Sequence, residues 1–348
     1  MRSVVGAVIF GLACVVAAGV LLAADAPPPW AYGFAVPPPP AGTPAPAPAA
    51  APPAAAPVDA TLKHLPGSSL AFTLTQIRDA FGPADWYPGD HPQMPDVVAH
   101  GRRPDVRACS LCHYPNGKGR PENAGVSGLP VSYFIQTMAD FKNGVRKSSD
   151  ARKANTNLMI AFAKAMTDDE VKAAAQYFGA IKWTPWIKVV EAKTVPKTRI
   201  AGGMFLVEGE EKEPIGQRII ETPENTEATE MLRDARSGFI AYVPVGSLKK
   251  GEALVTSGGG GKTTQCAVCH GADLQGLGPV PGIAGRSPSY VVRQLYDMQQ
   301  GSRTGTWTDL MKPVVAKLSA DDMLAIAAYT AARPVGATAN RGLTSAGR

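Results

Sequence analysis

The hydrophobic pattern divides the chain into unlike stretches. Residues 4–24, VVGAVIFGLACVVAAGVLLAA, run without a charge behind Arg2, as the core of an export signal or a single membrane span of about 20 residues would. A signal core spans roughly 7 to 15 residues, so the longer run favours a retained anchor, although Ala24-Asp25-Ala26 offers a cleavage site just before Pro27. Residues 27–57 are mostly proline and alanine and predict an extended tether with nothing to bury. Near its start sits the aromatic island Trp30-Ala31-Tyr32-Gly33-Phe34, which reads as interfacial aromatics, as a docking element or as noise.

Beyond residue 58, apolar residues recur at helical spacing, as in NLMIAFAKAMTDDE over 157–170. Capping patterns at Thr167-Asp168-Asp169-Glu170 and Ser319-Ala320-Asp321-Asp322 predict helix starts. Residues 182–245 break the pattern, with Trp183-Thr184-Pro185-Trp186 and an alternating stretch around Ile200 to Ile220 that predicts β-hairpin character. The fold expected is mainly α. It comprises a signal peptide or anchor over 1–26, the tether over 27–57, a helical domain over 58–181, the insertion over 182–245, a second helical domain over 246–335 and a tail over 336–348.

Composition narrows the functional classes. A chain of 348 residues with 45% hydrophobic and 18% charged positions accommodates two compact domains. The formal charge of +6 comes without a block of five or more like charges, so nothing predicts nucleic-acid binding.

Four of the five cysteines lie in two C-x-x-C-H motifs, Cys109, Cys112, His113 and Cys266, Cys269, His270. Two thiols at this spacing add to the two vinyl groups of one haem, and the adjacent histidine becomes a ligand of its iron. Zinc would need four ligands together, and a dithiol redox site would need a βαβ context. The fifth, Cys14, follows Gly11-Leu12-Ala13, a poor lipidation signal.

Aligning the motifs exposes an internal repeat. His113 precedes Tyr133 by 20 residues, as His270 precedes Tyr290; Gly144 and Arg146 pair with Gly301 and Arg303, and Met159 and Met311 each precede a tyrosine, Tyr177 or Tyr329, by 18. The first copy holds five extra residues between its arginine and its methionine. Met138 faces Leu295, Met298 faces Phe141 and Met166 faces Leu318, positions where any large apolar side chain serves. Only Met159 and Met311 coincide, so these are the expected sixth iron ligands opposite His113 and His270. They are expected in the segments preceding the capped helices. Arg146, Arg303, Tyr133 and Tyr290 are expected to bind haem propionates, with helix packing as the tyrosines' other role. His64, His91 and His100 have no counterparts in the second copy and are expected to stay off the iron.

With these residues in place the chain resembles the two-domain, two-haem class I cytochromes c, including the haem subunit of flavocytochrome c sulfide dehydrogenase. The family's P-x-L-A-G element is matched by Pro281-Gly282-Ile283-Ala284-Gly285, whereas the first copy reads Ala124-Gly125-Val126-Ser127-Gly128 and lacks the proline. The resemblance implies two covalently bound haems c in side-by-side helical domains. Together with the amino terminus it implies a periplasmic electron carrier, tethered to the cytoplasmic membrane. Its expected partners are redox proteins: a donor dehydrogenase or quinol-oxidising complex and an acceptor oxidase. The alternative is a dihaem enzyme such as a peroxidase or thiosulfate-oxidising protein, which needs an open or unusually ligated iron.

Overall fold

The computed structural model describes residues 26–34 and 60–336. The apolar run of 4–24 and most of the proline–alanine stretch lie outside them. Among the described residues no helix is long and apolar enough to cross a membrane.

The first domain is built from the Cys109–His113 turn, the Val131–Lys142 helix, the Ala154–Ala165 helix and the Asp168–Ala180 helix. Their apolar faces meet in one core that includes Val98, Val106, Met138, Phe141, Met166 and Phe178. The last helix starts on a capping box: Thr167 accepts from the Glu170 N–H and Glu170 answers on the Thr167 N–H.

The second domain repeats the plan with Ala267–His270, Pro288–Gln299 and Ala320–Ala331. Ser319 and Asp322 form the equivalent box, so aspartate serves where glutamate stood. An additional Ser247–Ser257 helix crosses the terminal helix at Gly251, where a Cβ would lie 2.0 Å from the Ala325 carbonyl oxygen. Only glycine permits that approach.

Residues 182–245 hold most of the strand structure, with one short helix, Thr226–Glu230. Strands β1 (Ile187–Ala192), β4 (Ile220–Pro223) and β5 (Phe239–Pro244) form a sheet in the order β1-β5-β4, with β1 parallel and β4 antiparallel to β5. Strands β2 (Thr194–Ala201) and β3 (Met204–Pro214) form the expected hairpin, placed earlier than the 200–220 alternation indicated. Its tip is Gly202-Gly203, both at positive φ, the two-residue turn whose twist matches the strands. The parallel β1–β5 pair was not legible because it joins segments about 50 residues apart.

The expectation of an extended tether from residue 27 fails at its start. Pro29–Tyr32 form a helical turn, and Trp30, Ala31 and Tyr32 are buried in the same core as Val292, Leu295, Ile219 and Ile220. Proline–alanine composition reports what cannot be buried, but the aromatic island inside it has surface to bury, and burial wins. The proline–alanine stretch therefore joins a docked segment to the first domain.

The domains meet around an antiparallel bridge between Arg146 and Arg303, the two arginines of the repeat. Lys147 N–H donates to the Ser302 carbonyl (2.8 Å) and Thr304 N–H to the Val145 carbonyl (2.7 Å). Trp183 spans both units: its Nε1 donates to the Ala284 carbonyl at 3.1 Å, and the Arg286 guanidinium lies 3.9 Å over its ring. Arg286 in turn donates to the carbonyls of Gly125 (2.9 Å) and Ser127 (3.0 Å) in the first domain.

Candidate haem sites

One cavity runs through both domains and is lined by Cys109, Cys112, His113 and Met159 from the first and by Cys266, Cys269, His270 and Met311 from the second. Tyr133, Arg146, Tyr290 and Arg303 line it as well. All twelve residues singled out by motif and repeat thus open onto the same space. His64, His91 and His100 are not among its lining residues. His91 is held instead by the Asp85 carboxylate at 3.0 Å, which together with the Pro92 carbonyl outweighs burial and raises the imidazole pKa.

Each motif histidine is fixed from behind by a backbone carbonyl. His113 Nδ1 lies 2.8 Å from the Ala124 oxygen and His270 Nδ1 lies 2.7 Å from the Pro281 oxygen. A carbonyl only accepts, so Nδ1 carries the proton and Nε2 keeps its lone pair, the arrangement of a metal-ligating histidine. Burial lowers both imidazole pKa values, against the raising effect of the carbonyl bond, and holds the rings neutral. The missing proline of the first copy is explained here. What the ring needs is a carbonyl 11 residues downstream, and alanine supplies it as well as proline.

The cysteines suit thioethers better than thiolates. Burial pushes the Cys109 thiol up to about 12 and the Cys266 thiol up to about 11, each helped by the neighbouring cysteine of its motif. A zinc or dithiol redox site needs thiolates, which this lining disfavours, whereas a thioether carries no charge to desolvate. All four motif cysteines are unpaired in the structure.

The two methionines sit in different local structures. Met311 ends a 3-10 turn, Asp309–Met311, ahead of the terminal helix as expected. Met159 lies inside the Ala154–Ala165 helix, which precedes the capped Asp168–Ala180 helix. The five extra residues of the first copy allow this helix to form, so the repeat fixed the position of the methionine and not its backbone. Met138, Met166 and Met298 line the cavity too; Met138 and Met166 are buried at 5% and 6% exposure in the apolar core. Lining alone does not single out Met159 and Met311; coincidence in the repeat does.

The arginines and tyrosines cross between domains. Arg146 Nη2 donates to the Tyr290 hydroxyl at 3.1 Å, and Arg303 Nη2 donates to the Tyr133 hydroxyl at 2.8 Å. Gln294 Oε1 accepts from both arginines, at 3.0 and 2.8 Å. Burial alone would raise the Tyr133 hydroxyl, but the Arg303 and Arg146 charges bring it down to about 8. Burial likewise lowers the Lys153 ammonium to about 7, with Arg293 adding repulsion. The cavity lining carries seven lysine and arginine side chains against three carboxylates. This excess of four matches the four propionates that two haems bring. Five of the seven cations, Arg146, Lys153, Arg286, Arg293 and Arg303, are buried, and buried cations are ordinarily paired, so the lining fits two haems by charge, by apolar character and by donor set.

The motif edges differ in exposure. In the second domain Val268 is 64% exposed, Leu277 59% and Leu310 67%, and Cys269 is open to solvent. In the first domain Ser110 is buried at 3% exposure and its hydroxyl donates to the Val98 carbonyl at 2.8 Å. Residues of the insertion close over this side: Asn116 Nδ2 donates to the Ala235 carbonyl at 2.6 Å and Arg233 lies over the Tyr114 ring at 5.5 Å. Sequence reasoning missed this cover, since Arg233 and Ala235 carry no motif. It also missed Arg286, Arg293 and Lys153, ordinary charged residues until tertiary structure buries them.

No protein-family model matches the chain. Among curated proteins it is 35% identical over 235 residues to a thiosulfate dehydrogenase electron acceptor of Stutzerimonas stutzeri, covering 66% of this chain and 81% of that protein. A thiosulfate dehydrogenase electron acceptor of Thiomonas intermedia is 24% identical over 241 residues, covering 68% and 82%. The cytochrome c4 of Stutzerimonas stutzeri is 30% identical over 135 residues, covering 34% and 61%. The chain thus carries two covalently bound haems c and serves as an electron carrier, not a catalyst, and it belongs to the two-domain, two-haem class I cytochromes c, with the thiosulfate dehydrogenase electron acceptors and cytochromes c4 as its relatives.

Proposed function

We propose that the protein is a periplasmic single-electron shuttle in which Met159 and His113 hold one iron and Met311 and His270 the other, with electrons exchanged with partner proteins at the second domain. The reading rests on one observation above the others: a single cavity lined by both C-x-x-C-H motifs, both repeat-matched methionines and an excess of buried cations. Haem c, when bound, supplies reversible one-electron iron chemistry whose potential a thioether ligand holds up.

The chain's own contribution is positional. The carbonyls of Ala124 and Pro281 orient the histidines, whose lone pairs face the cavity. Arg146 and Arg303, shared between domains, stand ready to neutralise carboxylates on both sides of the seam. Met/His ligation at both sites leaves no open position for a substrate. The electron donor is a dehydrogenase of the kind named in the relatives, a thiosulfate dehydrogenase, and the acceptor is a respiratory oxidase or another carrier. Retention of the apolar run at 4–24 would tether the shuttle to the membrane.

Replacing Met159 or Met311 with Ala tests the ligand set. Each change is expected to lower the reduction potential of one haem and to open it to carbon monoxide, leaving the other unchanged. Unaltered spectra and potentials at both haems in both variants would defeat the assignment, and carbon monoxide binding by the unsubstituted protein would favour catalysis at an open iron.

The exposure difference supports partner exchange at the second domain, because a covered edge lengthens the electron's path. Val268→Glu is expected to slow reduction by the donor at least about tenfold with both haem potentials unchanged. Leu111→Glu, at the matching position of the covered edge, is expected to change it little. The reverse pattern would assign exchange to the first domain.

A further inference from the structure

The docked segment Ala26–Phe34 takes no part in either cysteine motif, yet it is bound as a ligand would be. Trp30 is 7% exposed and Ala31 and Tyr32 are each 1% exposed, although 25 residues of proline–alanine-rich chain separate Phe34 from Ala60. The contacts reach three parts of the molecule. In the second domain, the Tyr32 hydroxyl donates to Asp297 Oδ1 at 2.7 Å and Arg293 Nη1 donates to the Ala31 carbonyl at 2.5 Å. In the first, Lys153 Nζ donates to the Tyr32 carbonyl at 3.2 Å, and the Arg152 guanidinium lies 4.0 Å over the Phe34 ring. In the insertion, Gly33 rests on the hairpin tip, where a Cβ would stand 2.5 Å from the Gly203 oxygen.

We propose that the seam between the two haem domains is a binding site for an aromatic peptide, and that Pro28–Phe34 of the same chain is its ligand, a clasp holding both domains and the hairpin together. The recognition chemistry is specific. Ala31 is buried at 1% exposure, the Tyr32 hydroxyl is bonded to Asp297, and Gly33 needs both its φ of +80° and its missing Cβ. Lys153 and Arg293 are cations 5% exposed, and each spends a donor on a carbonyl of the segment. Domain contact does not depend on the clasp, since Arg146–Tyr290 and Arg303–Tyr133 already cross the seam. The segment therefore acts as a separable ligand. Lys153, Arg293 and Asp297 also line the central cavity, so the clasp backs its wall and shields the region between the haems from water.

The test uses the full-length holoprotein with a protease recognition sequence inserted between residues 35 and 59 and an affinity tag immediately before Ala26. After cleavage, capture of the tag is expected to bring the haem absorbance of the body with it. A synthetic peptide spanning residues 26–35, in excess, is expected to reduce that captured absorbance at least about tenfold, and Trp30→Ala with Tyr32→Ala to do the same without peptide. Intact spectra of both haems in the double variant establish that its body is folded and loaded, independently of partner exchange. If it does not load, cleavage and peptide competition on the unsubstituted protein decide alone. Release of the body on cleavage of that protein would overturn the proposal. Capture of untagged chains from a mixed sample would overturn the same-chain clasp by placing the segment in a second copy.

Discussion

Asp322 shows how one residue can serve two purposes. It closes the capping box of the terminal helix and receives Lys262 at 2.8 Å and Lys250 at 2.9 Å while itself fully buried. Burial would raise its carboxyl, but the hydrogen bonds from Lys262 and Lys250 outweigh it and hold the group well below the usual carboxylate range. Because the folded-state pKa is depressed, this stabilisation is present above the unfolded value of about 3.9 and is lost as pH falls below it. Asp322→Asn is expected to cost about 1–2 kcal/mol at pH 7 and to flatten the fall of thermal stability between about pH 5 and 3. An unchanged acid limb would mean that the lysines do not engage the carboxylate in solution. Thr167→Ala, which removes the first domain's cap, is expected to cost about 1 kcal/mol in denaturant titration.

Among the elements, the tightest contact is the crossing of Ser247–Ser257 with Ala320–Ala331 at Gly251. A methyl group there must push the backbones apart, so Gly251→Ala is expected to destabilise the second domain by roughly 1–3 kcal/mol, although alanine is the better helix former. Calorimetry checks this: a transition unmoved or raised would show that the helices do not pack so closely. The helices and their caps were legible in the sequence, because a 3.6-residue apolar period and a capping box are local signals. The β2–β3 hairpin was legible from its alternation, but its bounds were not. The helical spacing around Met159 was legible too, whereas the 3-10 turn at Met311 was not, because the repeat carries spacing and not backbone conformation.

At the scale of the molecule, Trp183 and Arg286 connect the halves. The Trp183 ring fills the space beside Gly125, where a Cβ would come within 2.8 Å of it, and bonds to Ala284 of the other domain. Trp183→Ala is expected to cost roughly 2–4 kcal/mol and to lower amide protection in both domains together. Loss confined to one domain would argue that the belt serves that domain alone.

The sequence by itself determined the covalent haem attachment, since C-x-x-C-H is contiguous, and its repeat singles out Met159 and Met311 among ten methionines as the candidate iron ligands. Apolar periodicity likewise determined that two helical units would form. Only the tertiary structure decided that Arg146 faces Tyr290 and not its own domain's Tyr133, that Ala124 does the work of Pro281, that the first motif is covered while the second is open, and that an aromatic island in a proline-rich stretch is buried. Those outcomes depend on which surfaces meet and how much water they exclude, and partners as distant in sequence as Arg146 and Tyr290, 144 positions apart, or Tyr32 and Asp297, 265 apart, carry no local signal of such a meeting.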